Sequence, residues 1–254
     1  MQRKRALVLG ASQGIGQAVA QSLASQGFQL TLLARTQSKL EAVKDSLSGD
    51  GHNVLALDIA NHKEWLPQIK AEHEKQNYSV LILNSGGPKG GPISQAEPEA
   101  FMSAMNNHLV ANSILVRELM ESMKASKWGR VITVTSTSVK VPIPHLGVSN
   151  TARAAVASWA KTLSLELAPF GITVNNVMPG FTETPRLESL IKAKADETGK
   201  SFEEMSEAWK NLVPMKRFAK PEETAALIEF LCSENANYIT GQNIAVDGGR
   251  LGCL

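Results

Sequence analysis

Three side chains in one segment of the chain could take part in chemistry at an oxygen atom. Ser136 follows an apolar run, Ser149 comes thirteen residues later, and Arg153 comes four residues after that. A serine hydroxyl can donate a hydrogen bond to an oxygen that gains negative charge. It is a weaker acid than a tyrosine, whose pKa is about 10, and is therefore a poor final source of a proton. Arg153 adds positive charge but does not deprotonate, which excludes it as a proton shuttle.

The sequence leaves the proton source of such a reaction open. Histidine is the side chain that titrates closest to neutral pH, so His145 is one candidate, although its surroundings also fit an exposed loop histidine. His108 lies in a helical stretch and is either a site residue or a histidine buried in the core. Lys140 and water are further candidates. The chain has two tyrosines, Tyr78 and Tyr238, and neither is followed by a lysine four residues later.

A glycine-rich segment near the start of the chain predicts a phosphate-binding loop. The segment Gly10-Ala11-Ser12-Gln13-Gly14-Ile15-Gly16 follows the first apolar run and precedes a helical pattern. Its glycines allow a tight turn and close approach of a pyrophosphate, and the following helix offers free N–H groups and a partial positive charge. Its position directly after a first strand favours a nucleotide site over a simple turn.

Short apolar runs alternate with longer helical patterns along the chain. Several runs contain almost no polar residues, which is typical of strands covered by helices on both faces. The alternation predicts a single α/β domain of Rossmann type, with a doubly wound, mainly parallel, seven-stranded sheet. We predict strands at Arg5–Leu9, Gln29–Leu33, Asn53–Leu57, Ser79–Leu83, Arg130–Thr135, Ile172–Val177 and Asn243–Val246, and helices near 14–26, 36–48, 61–76, 98–125, 150–169 and 221–233.

Residues 182–218 interrupt this rhythm because they contain no strand pattern. Four apolar residues recur there at spacings of three and four, which predicts one amphipathic helix. We expect this segment to be either a lid over a substrate pocket or a helix at the periphery of the core. The four residues are Phe202, Met205, Trp209 and Leu212.

The combined motifs resemble the short-chain dehydrogenase/reductase family, over essentially the whole chain. In that family a serine is followed thirteen residues later by Tyr-x-x-x-Lys, so Ser149 and Arg153 stand at the tyrosine and lysine positions. The overall pattern is most similar to the 3-oxoacyl-(acyl-carrier-protein) reductase branch. Further matching segments are Asn84-Ser85-Gly86-Gly87, Pro179-Gly180 with Thr184, Ile239-Thr240-Gly241-Gln242 and Val246-Asp247-Gly248-Gly249.

The resemblance implies hydride transfer between a nicotinamide cofactor and a carbonyl compound. It implies that Ser136 donates a hydrogen bond to the substrate oxygen and that Arg153 binds the nicotinamide ribose. Counting without gaps puts His108 at the family's asparagine position in a proton relay, whereas a shift of one residue puts Asn107 there. The implied cofactor contacts are Gly10, Ser12, Gln13, Gly14, Ile15, Gly16, Arg35, Asp58, Ile59, Asn84, Gly86, Arg153, Pro179, Gly180 and Thr184.

The end of the second predicted strand indicates which nicotinamide cofactor is preferred. Enzymes that prefer NAD usually place a carboxylate there, on the ribose 2′-hydroxyl. Ala34 lacks that carboxylate, and the guanidinium of Arg35 suits a 2′-phosphate. We therefore predict NADP(H), with NAD(H) as the alternative if Arg35 is only a solvated surface charge.

Two functions remain open at this stage. The first is an NADP(H)-dependent oxidoreductase that reduces a carbonyl group, with a 3-oxoacyl compound as one candidate substrate. The second is a catalytically impaired NADP(H)-binding sensor or assembly protein, which the loss of tyrosine and lysine favours. Cofactor-free dehalogenation is disfavoured, because the related dehalogenases keep the tyrosine and lose the glycine-rich loop.

Composition narrows the class of partner. The 26 basic and 24 acidic residues give a net charge of +2, which favours a small-molecule substrate over nucleic acid or a membrane. Cys232 and Cys253 make neither a disulfide framework nor a metal-ligand spacing, so we expect no metal and a reducing, cytoplasmic setting. The resemblance implies a homotetramer or homodimer formed through helices 98–125 and 150–169.

Overall fold

The computed structural model describes residues 4–253. Within that range, seven strands form one sheet in the order β3-β2-β1-β4-β5-β6-β7, and every pairing is parallel. The predicted doubly wound sheet is confirmed. The strands are β1 (Arg5–Leu9), β2 (Gln29–Ala34), β3 (Asn53–Ala56), β4 (Val80–Leu83), β5 (Gly129–Val134), β6 (Ile172–Pro179) and β7 (Asn243–Val246).

Helices connect the strands and cover both faces of the sheet. Short 3₁₀ turns lie at 93–95, 137–139, 168–170 and 234–236, and a π-helical turn spans Asn106–Val110. The α-helices are α1 (Gly14–Ser25), α2 (Gln37–Asp45), α3 (His62–Lys75), α4 (Pro98–Met105), α5 (Ala111–Ser126), α6 (Gly147–Leu167), α7 (Pro185–Thr198), α8 (Phe202–Asn211) and α9 (Pro221–Cys232).

Alternate residues of each central strand enter two separate cores. Ala6 and Val8 of β1 lie in the core formed with α1 and α9, whereas Leu7 and Leu9 lie in the core formed with α3, α5 and α6. All five residues of β1 are buried. This two-sided burial explains why the strands are continuous apolar runs rather than alternating ones.

The two halves of the sheet extend in opposite directions from the boundary between β1 and β4. From β1 the chain continues outward to β2 and β3, and β4 then starts the other half on the opposite side of β1. The carboxyl ends of β1 and β4 therefore border a crevice at Gly10 and Asn84. In open α/β sheets, ligands bind at this switch point.

Two predicted helices near the candidate site differ from the structure. The helix predicted at 98–125 is interrupted at Asn106–Val110, where the backbone makes a π-helical turn. The helix predicted at 150–169 already begins at Gly147, so Ser149 lies in its first turn instead of in the loop before it. No side chain caps the start of this helix, at Leu146, so the sequence carries no signal for the earlier beginning.

Residues 182–218 contain two helices, where the sequence predicted one. The second, α8, is the predicted amphipathic helix, and its Ser201–Glu204 capping box fixes its start. Met205 is buried in a small cluster with α7, but Phe202 and Leu212 are 39% and 60% exposed. The predicted amphipathic helix is confirmed, and α8 packs against α7 through its middle.

Replacing Gly16 tests the contact between α1 and the end of β1. A Cβ at Gly16 would lie 2.1 Å from the carbonyl oxygen of Gly10, so Gly16→Ala forces α1 away from the sheet. We expect a loss of about 1–3 kcal/mol in the free energy of unfolding, as for other overpacked sites. Thermal denaturation without cofactor measures it, with Gly91→Ala as control because its Cβ meets no atom within 4 Å. Equal melting temperatures for Gly16→Ala and Gly91→Ala would contradict the contact.

Candidate active site

The glycine-rich loop forms a cradle at the switch point. Gly10 has a φ of +64°, in the left-handed region that favours glycine. Asn84, directly after β4, lies against this turn, and its side-chain nitrogen is 3.5 Å from the carbonyl oxygen of Gly10. A Cβ at Gly10 would lie 2.7 Å from that nitrogen. The loop and the end of β4 are therefore held together by contacts that exclude larger side chains.

The N-terminus of α1 is free to bind an anion. Within the described chain, no side chain caps this helix at Gln13, and its first turn contains no acidic residue. Its N–H groups therefore point into the crevice without an internal partner. Thr184 stands over the loop, since a Cβ at Gly14 would lie 2.9 Å from its methyl carbon. Ser12 and Ile15 belong to the same loop and first helical turn.

Two cations lie where the predicted 2′-phosphate would bind. Arg35 is exposed and follows directly after β2. Lys39, in the first turn of α2, donates a hydrogen bond to the Gln13 side chain over 3.3 Å. The sequence prediction missed Lys39, although its place four residues after Arg35, in the helix that follows β2, was a usable signal. Both cations suit a phosphate at this edge.

The remaining predicted cofactor residues also lie at the carboxyl edge of the sheet. Asp58 is exposed after β3, and its carboxylate accepts a hydrogen bond from the backbone of Ala60 over 3.0 Å. Pro179 ends β6, and the Gly180 nitrogen donates to the carbonyl of Val246 over 2.9 Å. Ile59 and Gly86 lie in the loops after β3 and β4. The cradle, the uncapped helix and the two cations fit an NADP(H) molecule.

Arg153 connects Ser149 to the end of β5, from which Ser136 follows. Its Nη1 donates to the carbonyl oxygens of Val134 and Thr135 over 3.0 and 2.8 Å, at the end of β5. Its Nε donates to the hydroxyl of Ser149 over 3.3 Å. Because Ser136 follows Thr135 directly, the structure brings all three predicted residues to one place. Burial of its guanidinium, and secondly the charge of Arg186, lower the pKa of Arg153 to about 10.

Both serine hydroxyls retain a proton that they can donate to a ligand. Ser136 Oγ accepts a hydrogen bond from the backbone nitrogen of Ser138 over 3.1 Å. Ser149 Oγ accepts from Arg153, as described above. A hydroxyl that accepts from the protein still has its own O–H to donate. The pair can therefore stabilise negative charge on a substrate oxygen.

His108 lies in the π-helical turn and is buried close to Arg153. Its Nδ1 is 2.6 Å from the hydroxyl of Ser85, a residue that the sequence prediction did not include. Burial, and secondly the charge of Arg153, lower the pKa of His108 to about 3. At neutral pH it is therefore uncharged and is not an acid for the reaction. The neighbouring Asn107 has a buried side-chain oxygen without a hydrogen-bond partner among the described residues.

The side chains of His145 and Lys140 are both exposed. His145 has a φ of +61°, and its carbonyl oxygen accepts a hydrogen bond from the nitrogen of Gly91 over 2.7 Å. The backbone of His145 thus holds the loop after β4 in place. The structure shows no contact between its imidazole and either serine.

Residues 4–253 contain neither a metal-binding cluster nor a membrane-spanning helix. No group of three or more histidine, cysteine or acidic side chains is placed to hold a metal ion there. No helix in this range combines the length and the apolar character that a membrane span needs.

Known proteins resemble this chain in both sequence and structure. A family model described as enoyl-(acyl carrier protein) reductase matches residues 10–250. The NADPH-dependent reductase BacG of Bacillus subtilis is 33% identical and covers 99% of each chain. The 3-oxoacyl-[acyl-carrier-protein] reductase FabG of Rickettsia prowazekii is 32% identical over 98% of this chain and 97% of its own.

A solved structure confirms the architecture. The crystal structure of YwfH, an NADPH-dependent reductase involved in bacilysin biosynthesis, superimposes with a TM-score of 0.93 at 31% identity, over 100% of both chains. The sequence motifs, the strand order and these relatives agree with one another. The chain therefore belongs to the short-chain dehydrogenase/reductase family.

Proposed function

We propose that this protein is an NADP(H)-dependent reductase that delivers hydride to the carbonyl carbon of a small-molecule substrate. The observation that carries the proposal is the arrangement of Ser136, Ser149 and Arg153 at the end of β5, next to the cradle for a dinucleotide. NADPH, when bound, supplies the hydride. The relatives named for NADPH dependence support the choice of cofactor.

The two serines stabilise the oxygen that becomes negative as hydride reaches the carbon. Each serine offers one O–H donor to that oxygen. In the family the corresponding pair is a serine and a tyrosine, of which the tyrosine is the stronger acid. Arg153 positions Ser149 and keeps a positive charge beside it, because a pKa of about 10 leaves the guanidinium protonated at neutral pH. Arg153 is also the residue that would hold the nicotinamide ribose.

Water supplies the final proton in this proposal. His108 is uncharged at neutral pH, since its pKa is about 3, and the His145 imidazole is exposed away from the serines. A serine that has donated its hydrogen bond does not need to lose its proton. The alkoxide instead takes a proton from a water molecule, which leaves as hydroxide, when the site opens, and the 182–218 segment is the part that we propose as the lid.

Substituting Arg35 tests the cofactor assignment. Arg35→Ser removes the guanidinium that we place on the 2′-phosphate, so we expect the Kd for NADPH to rise by roughly 10-fold or more while the Kd for NADH changes little. Fluorescence titration measures both constants. The control is Lys70→Ser, which removes one charge from an exposed ion pair with Glu118. If wild-type protein binds NADH more tightly than NADPH, the assignment is wrong.

Substituting the two serines tests the catalytic assignment. We expect Ser136→Ala and Ser149→Ala each to lower kcat by roughly 10²–10³-fold, as for loss of one donor to an oxyanion, without changing the Kd for NADPH. NADPH consumption with ketones, quinones, 3-oxoacyl thioesters and oxo acids provides the measurement. Ser158→Ala, an exposed serine later in α6, is the matched control. Turnover that is insensitive to both active-site substitutions would refute the assignment.

A second candidate reaction is reduction of a carbon–carbon double bond conjugated to a carbonyl group. The matching family model is described as an enoyl reductase, and hydride added to the β-carbon leaves an enolate rather than an alkoxide. Two hydroxyl donors stabilise an enolate oxygen, and its carbon can take a proton from water, so no strong acid is needed. Adding α,β-unsaturated thioesters and ketones to the panel separates the two reactions by their products.

The same measurements bear on the sensor function. Tight NADPH binding without consumption on any substrate of the panel would favour a protein that only senses or carries the cofactor. Consumption that depends on Ser136 and Ser149 would exclude that function.

A further inference from the structure

Arg186 carries a positive charge that has no acidic partner within residues 4–253. It is the second residue of α7 and is partly buried. Its one hydrogen bond in the described structure runs from Nη2 to the carbonyl oxygen of Pro88 over 2.6 Å. None of the ion pairs among the described residues includes it. Burial lowers its pKa.

The surroundings of Arg186 place it at the substrate side of the crevice. Thr184, two residues earlier, lies over the cofactor loop at Gly14. A Cβ at Gly87 would lie 3.3 Å from the Arg186 guanidinium, so the loop after β4 passes directly beside it. Its charge also reaches Arg153, whose pKa it lowers. Arg186 therefore lies between the cofactor loop, the loop after β4 and the catalytic segment.

A cation in this position is costly unless an anion joins it. A guanidinium has five N–H donors, and Arg186 uses one of them on Pro88. A second cation, Arg153, lies close by and adds repulsion. Desolvated charges in proteins are stable when they are paired and hydrogen-bonded. The remaining N–H groups of Arg186 match the two oxygens of a carboxylate in a bidentate pair.

The phosphates of the cofactor would have other partners in the crevice. The pyrophosphate suits the free N-terminus of α1, and the 2′-phosphate suits Arg35 and Lys39. The anion at Arg186 must therefore come from the other molecule in the site. We propose that Arg186 binds a carboxylate of the substrate, so that the substrate is an oxo acid rather than a neutral ketone or thioester. This inference rests on the proposed function, and it makes Arg186 a residue that determines specificity.

The test compares acids with their neutral esters by binding. Titration calorimetry of the protein–NADP⁺ complex would use 2-oxohexanoate, 4-oxopentanoate and 5-oxohexanoate, each beside its methyl ester. In the wild type we expect the preferred acid to bind at least ~10-fold more tightly than its ester. Arg186→Met should weaken acid binding by roughly 30-fold or more, leave ester binding unchanged and leave the Kd for NADPH unchanged.

Two further variants and the cofactor measurement identify the cause of any change. Arg186→Lys keeps the charge but not the bidentate geometry, so it should restore acid binding in part. Lys70→Met removes one charge from an exposed ion pair elsewhere and should have no effect. If Arg186→Met weakens NADPH binding instead, Arg186 holds the cofactor and the proposal is wrong. Equal affinity for acid and ester, or no binding of either, would also overturn it.

Turnover is measured separately, so that the two proposals can fail independently. Acid binding that depends on Arg186, without NADPH consumption, would support the carboxylate site and contradict the reductase function. NADPH consumption on neutral substrates only, with no preference for the acids, would support the reductase and contradict the carboxylate site.

Discussion

The geometry of the candidate site depends on the hydrogen bonds that the guanidinium of Arg153 makes at the end of β5. Arg153 donates to the last carbonyl groups of β5 and to Ser149, one helical turn earlier in α6. These bonds fix the helix against the strand from which Ser136 follows, so a single side chain sets the distance between both hydroxyls. A lysine could provide the charge but not three directed hydrogen bonds in one plane. The arginine therefore acts here as a structural clamp as well as a charge.

The sequence predicted the parts of the protein that depend on local chemistry. The apolar runs identified all seven strands, most clearly β1 and β4, which are buried along their whole length. The glycines at 10 and 16 were informative because each answers a local steric demand, a left-handed turn in one case and a close approach to the carbonyl of Gly10 in the other. Thr184 was singled out only by the family motif; the structure shows that it also caps α7.

Properties that arise from tertiary contacts could not be predicted in this way. Arg186 looked like one charge among many in a charged segment, and it gains significance only because Gly87, Pro88 and Arg153 lie around it in the fold. The uncharged state of His108 has the same origin, since burial and the charge of Arg153 produce it. The spacing from Phe202 to Leu212 predicted α8 but not its packing, because periodicity shows an amphipathic face without showing how much of that face finds a partner.

The π-helical turn at Asn106–Val110 makes the position of His108 depend on the number of residues in this segment. A π-helical turn contains one residue more than an α-helical turn. Successive residues of an α-helix are rotated by about 100° about the helix axis. Loss of one residue here would let α4 and α5 run on as one regular helix, and one of the two ends would have to rotate about its axis. His108 would then leave Ser85, although both residues were still present. In this protein a deletion can thus remove a side chain from the site without removing it from the sequence.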